Sequence, residues 1–240
     1  MNQPFFALWV YLSKTPLLWL TVTLLVYLAA DHGSKATGRH PLANPVLHSI
    51  WIIGALLALT GTSYQAYFEG AQFVHFLLGP ATVVLAVPLY EHRRTVLKAL
   101  LPMSAALVAG SLAAFLSAVL VARLLGVPHE VLVALAPKSV TAGVAMAISQ
   151  SLGGDPALTA VLVILTGIIG AIAVTPLMNA LRIKDWRARG FAAGIASHGL
   201  GTARAFQVNP VAGTFAGIAM GLNAFLTAIL VPLLIGWVVG

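Results

Sequence analysis

The sequence predicts an all-α, polytopic bundle of transmembrane helices. Three observations carry that prediction. Of 240 residues, 60% are hydrophobic and 8% are charged, whereas a soluble domain carries about 25% charged residues. Mean hydropathy is +0.96, so the chain lacks the polar surface to cover a globule. Its apolar runs also approach the ~20 residues that a spanning helix needs. Thirdly, the basic residues behind the net charge of +7 lie between those runs. That is the pattern of topology signals, and it differs from the single basic patch of a nucleic-acid binder. The lipid bilayer is therefore an expected partner and nucleic acid is not. Cysteine is absent, which excludes disulfides and thiolate chemistry.

Taken in order, full spans are expected at Pro16–Ala30, Pro45–Leu59, Leu97–Leu124, Ala157–Leu181 and Val211–Val239. Phe5–Leu12 is short, lacks a preceding basic region and runs into Lys14, so it does not read as a cleavable signal peptide. Three further apolar segments, Phe73–Tyr90, Val131–Leu152 and Gly190–Val208, are interrupted by Gly, Pro and hydroxyl residues. The expectation is seven or eight membrane segments, with discontinuous or re-entrant helices, in one domain over residues 1–240. The longest polar loop expected is Asp31–Asn44.

The basic loops are Lys35/Arg39, Arg93/Arg94/Lys98 and Arg182/Lys184/Arg187/Arg189. The positive-inside rule places all three in the cytoplasm. Leu97–Leu124 then leads out and Ala157–Leu181 leads back. A full crossing by Val131–Leu152 would put Arg182–Arg189 outside, so that segment reads as re-entrant. An internal echo accompanies it: Pro80/Pro137, Gly110/Gly167 and Ala114/Ala171 share an offset of 57 residues. Structural repeats with discontinuous helices at the binding site are common in transporters.

The six acidic residues, Asp31, Glu69, Glu91, Glu130, Asp155 and Asp185, fall in predicted loops or segment ends. No intramembrane carboxylate is apparent. Lys138 and Arg204 are the two cations placed inside interrupted segments. A charge at a helix centre costs ~2.5–3.5 kcal/mol on the insertion scale. Without a buried acid, each cation must snorkel to the interface, meet carbonyls or bind an anion. A helix restarting at depth exposes unsatisfied N–H groups, which favour an anion. Pro137 fits such a start, and Ser139 and Thr141 fit a cap or a donor. Ser197, His198 and Thr202 offer the same chemistry beside Arg204, with Gly199 and Gly201 allowing close backbone approach. If 197–204 is helical, Ser197, Gly201 and Arg204 share one face and His198 and Thr202 another. Pro80, Thr82, Gly143 and Asn223 are secondary candidates. His198 titrates in the range that suits a proton-linked step. The plainer reading is that Lys138 and Arg204 snorkel, the histidine packs, and the glycines serve helix packing. No metal-ligand cluster, phosphate loop or catalytic triad pattern is present, so neither a cofactor nor an enzyme is expected.

Five stretches carry a resemblance. They are "LLGPATVVLAVPLYEHR" at 77–93, "PKSVTAGVAMAISQSLGG" at 137–154, "LTGIIGA" at 165–171, "RIKDWRARGFAAGIASHGLGTARAF" at 182–206 and "AMGLNAFLTAILVPLL" at 219–234. The chain resembles the LrgB/CidB/YohK family of bacterial membrane proteins, related to the C-terminal part of the plant plastidal glycolate/glycerate translocator. Where the family shows Thr-Thr-Pro-Ile-Ala, this chain has Thr141-Ala142-Gly143-Val144-Ala145. Where it shows Gly-Thr-Ala-Ser-His, this chain has Gly194-Ile195-Ala196-Ser197-His198. The resemblance implies one of two roles. The first is transport of small monocarboxylates of the glycolate, glycerate, lactate or pyruvate class. The second is holin-like regulation of murein hydrolase export and lysis, with a small LrgA/CidA-type membrane partner. The residues above favour the first. A multi-pass, homo-oligomeric protein of the bacterial inner membrane is expected in either case.

Overall fold

The computed structural model describes residues 16–77, 80, 86–91 and 93–239. Among them every regular element is a helix. The chain divides into two compact units, residues 1–84 and 85–240.

The first unit contains α1 (Pro16–Ala36), α2 (Pro45–Thr60) and α3 (Tyr64–Phe76). α1 runs past the expected end at Ala30 because Asp31 is neutralised within the helix end. Lys35, one turn on, sits 2.7 Å from its carboxylate and Arg39 sits 2.9 Å from it. The polar loop is shortened accordingly. α2 begins where Asn44 Oδ1 accepts from Val46 N at 2.9 Å, with Pro45 at the first helical position. It ends on Gly61, whose φ of 65° is left-handed. α3 lies tight against α1 at Gly70, where an added Cβ would stand 2.8 Å from Trp19 Cβ. Trp19 is buried there, edge-on to Tyr67.

The second unit contains α4 (Ala86–Glu91), α5 (Arg93–Lys98), α6 (Leu100–Leu124), α7 (His129–Leu135), α8 (Ala142–Ser151), α9 (Pro156–Ala180), α10 (Trp186–Val208) and α11 (Pro210–Val239). Acids expected at segment ends prove to be helix caps. Asp155 accepts from Ala157 N at 2.7 Å and Asp185 from Arg187 N at 2.8 Å. Asn209 does the same for α11, through Val211 N at 2.9 Å.

Four helices among the described residues, α1, α6, α9 and α11, are long and apolar enough to cross a membrane, and α2 is a shorter apolar helix. The expected segment Phe73–Tyr90 is described only as the end of α3, Pro80 and α4. Thr82 lies outside the described residues.

The two remaining interrupted segments are both helical hairpins. α7 packs against the turn that follows α8: a Cβ added at Gly154 would stand 2.9 Å from Val133 Cγ1 and 3.3 Å from Ala134 N. Val133 and Ile148 accordingly share one packed cluster. α10 is broken as well. Ser197 (φ −135°, ψ 16°) and His198 (φ 40°, ψ −130°) leave helical geometry. A Cβ at Gly201 would stand 2.5 Å from Ala193 O. Along a straight helix those two residues would be about 12 Å apart. The arms of α10, residues 186–196 and 199–208, therefore fold back on each other, and Trp186 and Val208 line one small cavity.

The plan repeats. α6 precedes the α7–α8 hairpin, and α9 precedes the α10 hairpin. The hairpins start at His129 and Trp186 and end at Ser151 and Val208, a shift of 57 residues at both ends. The spacing of Gly110 and Gly167 is the same. Gly190 and Gly194 of the first α10 arm lie directly on the backbone of Ala212 and Ala216 in α11. Small residues at such a seam let helices approach closely where lipid offers no hydrophobic drive.

Candidate functional site at the two hairpin tips

The α7–α8 tip spans residues 136–141 and the α10 tip is Ser197–His198. Both are held by a single side chain midway along α11. Asn223 Nδ2 donates to Ser139 O at 3.1 Å and to Ile195 O at 3.2 Å. In a continuous helix the Ile195 carbonyl would accept from the amide four residues on, and the break removes that partner. Ser111 Oγ, midway along α6, donates to Asn223 Oδ1 at 2.6 Å, and Thr227 Oγ1 stands 3.3 Å from the same oxygen. The amide orientation follows from its partners, since two carbonyls require the nitrogen. Asn223 is 1% exposed. At that depth its four-way bonding satisfies backbone groups that would otherwise cost ~1–3 kcal/mol each.

His198 forms the floor of the second tip. Its Nε2 donates to Val163 O of α9 at 3.0 Å, which leaves Nδ1 as the acceptor of the neutral ring. The Cε1–Nε2 edge of the ring lies against Gly167, where an added Cβ would stand 2.6 Å from His198 Cε1. Thr202 Oγ1 donates to His198 O at 2.8 Å and so caps the break from its far side. Ser197 Oγ rests on Gly170. It is fully buried and makes no hydrogen bond in the structure. Gly167 and Gly170 thus form a glycine face on α9 that admits the second tip.

At the first tip Pro137 is fully buried, and half-buried Lys138 places Nζ 3.3 Å from Ser139 Oγ. Thr141 leads into α8 with extended backbone, but its side chain makes no capping bond. Gly143 faces open space, and Gly199 has only Met220 sulfur at 4.0 Å.

Two expectations are corrected. Ser197, Gly201 and Arg204 do not share one helical face, because Ser197 lies in the break itself, although its Cβ would stand 2.6 Å from a Cβ added at Gly201. Arg204 is buried where snorkelling would expose it, and it lines a small cavity with Trp186, Arg189 and Thr175 towards the open end of the hairpin. Lys138 and Arg204 therefore belong to different regions. The structure brings together Ser139, Asn223 and the carbonyl of Ile195, with Ser197 and His198 beside them.

Reasoning from the sequence missed Ser111, Thr227, Val163, Ile195 and Gly170. The first and second carried a usable signal, being hydroxyls in the middle of apolar spans, with Thr227 one turn from Asn223. Val163 and Ile195 act through backbone carbonyls, which no side-chain pattern reveals. Beside Asn223 lies a small cavity lined by Ser111, Ser139, Thr227 and the apolar Ala114, Phe115 and Val231. Its polar lining is hydroxyl and amide, with no carboxylate. No group of three or more metal-ligating side chains occurs among the described residues.

The LrgB-like family profile matches residues 23–237. The chain is 32% identical to the "Holin-like protein CidB" of Staphylococcus epidermidis, over 94% of this chain and 97% of the relative. It is likewise 32% identical to the Staphylococcus aureus protein of that name, over 91% and 95%. It is 34% identical to the Bacillus subtilis protein YwbG, over 91% and 96%. No solved structure matches the chain. With the profile covering nearly all of a chain whose long helices are apolar enough to span a bilayer, this protein belongs to the LrgB-like family of membrane proteins.

Proposed function

We propose that the protein carries small monocarboxylates across the bacterial inner membrane by alternating access around the two hairpin tips. The observation that supports this reading is the convergence of both tips on Asn223, midway along α11 and level with Ser111 midway along α6. Broken helices meeting at mid-depth are how transporters present backbone donors and acceptors to a solute. Ser139, Thr141, Ser197 and Thr202 supply hydroxyls, Lys138 supplies charge, and Arg204 supplies charge nearer the open end of its hairpin. His198 is the proton-linked group. In this reading both hairpins are re-entrant. α6 leaves the cytoplasm beside Lys98, and α9 returns to the basic loop at Arg182–Arg189. The hairpins then enter from opposite faces, as an inverted repeat within seven or eight membrane segments.

The names of the staphylococcal relatives favour a second reading. In it the protein is a holin-like regulator of murein hydrolase export and lysis, working with an LrgA/CidA-type partner. On the comparisons alone this second reading stands ahead, and the carrier reading rests on geometry. Reconstitution separates them. The purified protein, with and without such a partner, is assayed for uptake of labelled glycolate, lactate and pyruvate under a pH gradient. The carrier reading expects uptake that falls in Lys138→Ala and His198→Ala. Absence of uptake for every acid under both conditions favours the holin-like role. Uptake unchanged in both variants keeps the carrier and discards these site residues.

A further inference from the structure

A cavity of about 420 Å³ in the second unit is walled by Pro102, Met103, Ala106, Phe191 and Phe215. Lys98, Asp185 and Arg187 form its rim. Arg187 is paired with Asp185 at 2.6 Å, so Lys98 leaves the rim with a surplus positive charge. The same helix faces that bound this cavity continue to the small one at Asn223. On α6, residues four apart share a face. Pro102 and Ala106 line the large cavity and Ala114 lines the small one. Gly110, midway between, faces Ile195, whose Cδ1 and Cγ2 would both lie 3.3 Å from an added Cβ. On α11 the same spacing takes Phe215 of the large cavity through Ala219 to Asn223 and Thr227. On the first α10 arm it takes Arg187 at the rim through Phe191 to Ile195. Met103, Phe191, Ile195, Phe215 and Ala219 belong to one packed cluster. The three faces thus meet in that cluster, where the Ile195 side chain packs on Gly110 between the two cavities.

We propose that these two cavities are one path for a small organic anion, interrupted by Ile195 as its plug. The proposal rests on the carrier reading, since the path ends at the hairpin tips. The rim attracts the anion, and the ladder of Pro102, Ala106 and Gly110 leaves room for it. Ile195 closes the way while Asn223 holds its carbonyl at 3.2 Å. Releasing that one hydrogen bond frees the residue that blocks the path, so the tip and the plug move together.

The chain has no cysteine, so an introduced thiol reports without background. Ala106→Cys reports on the large cavity and Ala114→Cys on the small one. The full chain in liposomes is treated with an anionic sulfonatoethyl and a cationic trimethylammonioethyl methanethiosulfonate. Each rate is normalised to that of a free thiol. Ala106→Cys is expected to react readily and to favour the anionic reagent, and Ala114→Cys to react slowly. Adding Ile195→Ala is expected to speed the reaction of Ala114→Cys by about tenfold and to leave that of Ala106→Cys unchanged. Ile195→Val, which preserves packing better, is expected to give a smaller rise. An unreactive Ala106→Cys, or a cationic preference there, overturns the proposal. So does an Ala114→Cys rate that neither Ile195 variant raises. Labelling needs no turnover. The expected labelling pattern without carboxylate uptake refutes the carrier reading and leaves the path. Uptake without that pattern refutes the path alone.

Discussion

Replacing Asn223 with alanine tests whether one side chain joins the two hairpin tips. The substitution removes donors to Ser139 O and Ile195 O and the acceptor of Ser111 Oγ, at 3.1, 3.2 and 2.6 Å. Hydrogen bonds between membrane helices average ~0.6 kcal/mol and reach ~1.7. Three such bonds give ~2 kcal/mol at the average and ~5 at the upper limit. The expected loss therefore lies between those figures, nearer the upper one because two buried carbonyls are left without a partner. Equilibrium unfolding in mixed micelles, followed by tryptophan fluorescence, measures it. A double-mutant cycle with Ser111→Ala isolates the hydroxyl–amide bond and is expected to show a coupling of ~0.5–1.7 kcal/mol. A loss in Asn223→Ala of less than ~0.5 kcal/mol, the range of an ordinary surface substitution, refutes the joint. Strict additivity with Ser111→Ala would show that the 2.6 Å contact carries no energy.

Gly170→Ala drives a methyl group into Ser197 and is expected to lower stability by ~1–3 kcal/mol. Adding Ser197→Gly should recover part of the loss in the same unfolding assay. At His198, whose φ is 40°, glycine is expected to be tolerated better than alanine by ~1 kcal/mol. The readout is the difference in thermal midpoint between the two variants, both of which lack the bond to Val163. Gly194→Val, against the backbone of Ala216, is expected to separate the first α10 arm from α11 and to abolish the folded elution peak. Outside the membrane, the Arg187 side chain hydrogen-bonded to Asp185 holds that carboxyl below the usual carboxylate range. Its contribution is complete above the unfolded pKa of about 3.9 and is lost as pH falls through the lower folded value. Asp185→Ala should cost ~1 kcal/mol or less at neutral pH, through the lost cap. Acid titration of stability should accordingly be shallower in that variant below about pH 4.

The fold was legible wherever a physical constraint acts on composition. Apolar run length located α6, α9 and α11 to within a few residues, and Pro137 marked the break between α7 and α8. Charge bookkeeping along the basic loops suggested that Val131–Leu152 turns back on itself. It gave no such hint for α10, because the fold-back there depends on the backbone of Ser197 and His198, neither of which is a habitual helix breaker. The offset of 57 residues was visible in three residue pairs and is matched by the boundaries of both hairpins. The candidate site was legible in part. Ser139, Ser197 and His198 stood out as polar residues in apolar surroundings, and Asn223 for the same reason. Its role as a joint was hidden, because its partners are main-chain carbonyls. Arg204 lies towards the open end of its hairpin because the fold-back turns the residues after His198 away from the direction that a straight helix would take.

The position of Asn223 also bears on how the protein is made. α11 follows both hairpins in the chain, so each tip is synthesised before the residue that completes it. Until α11 is made, the carbonyls of Ser139 and Ile195 lack the amide that joins them. The joint can therefore form only after α11 has been made. Synthesis halted before residue 223 would leave both tips without the amide that joins them.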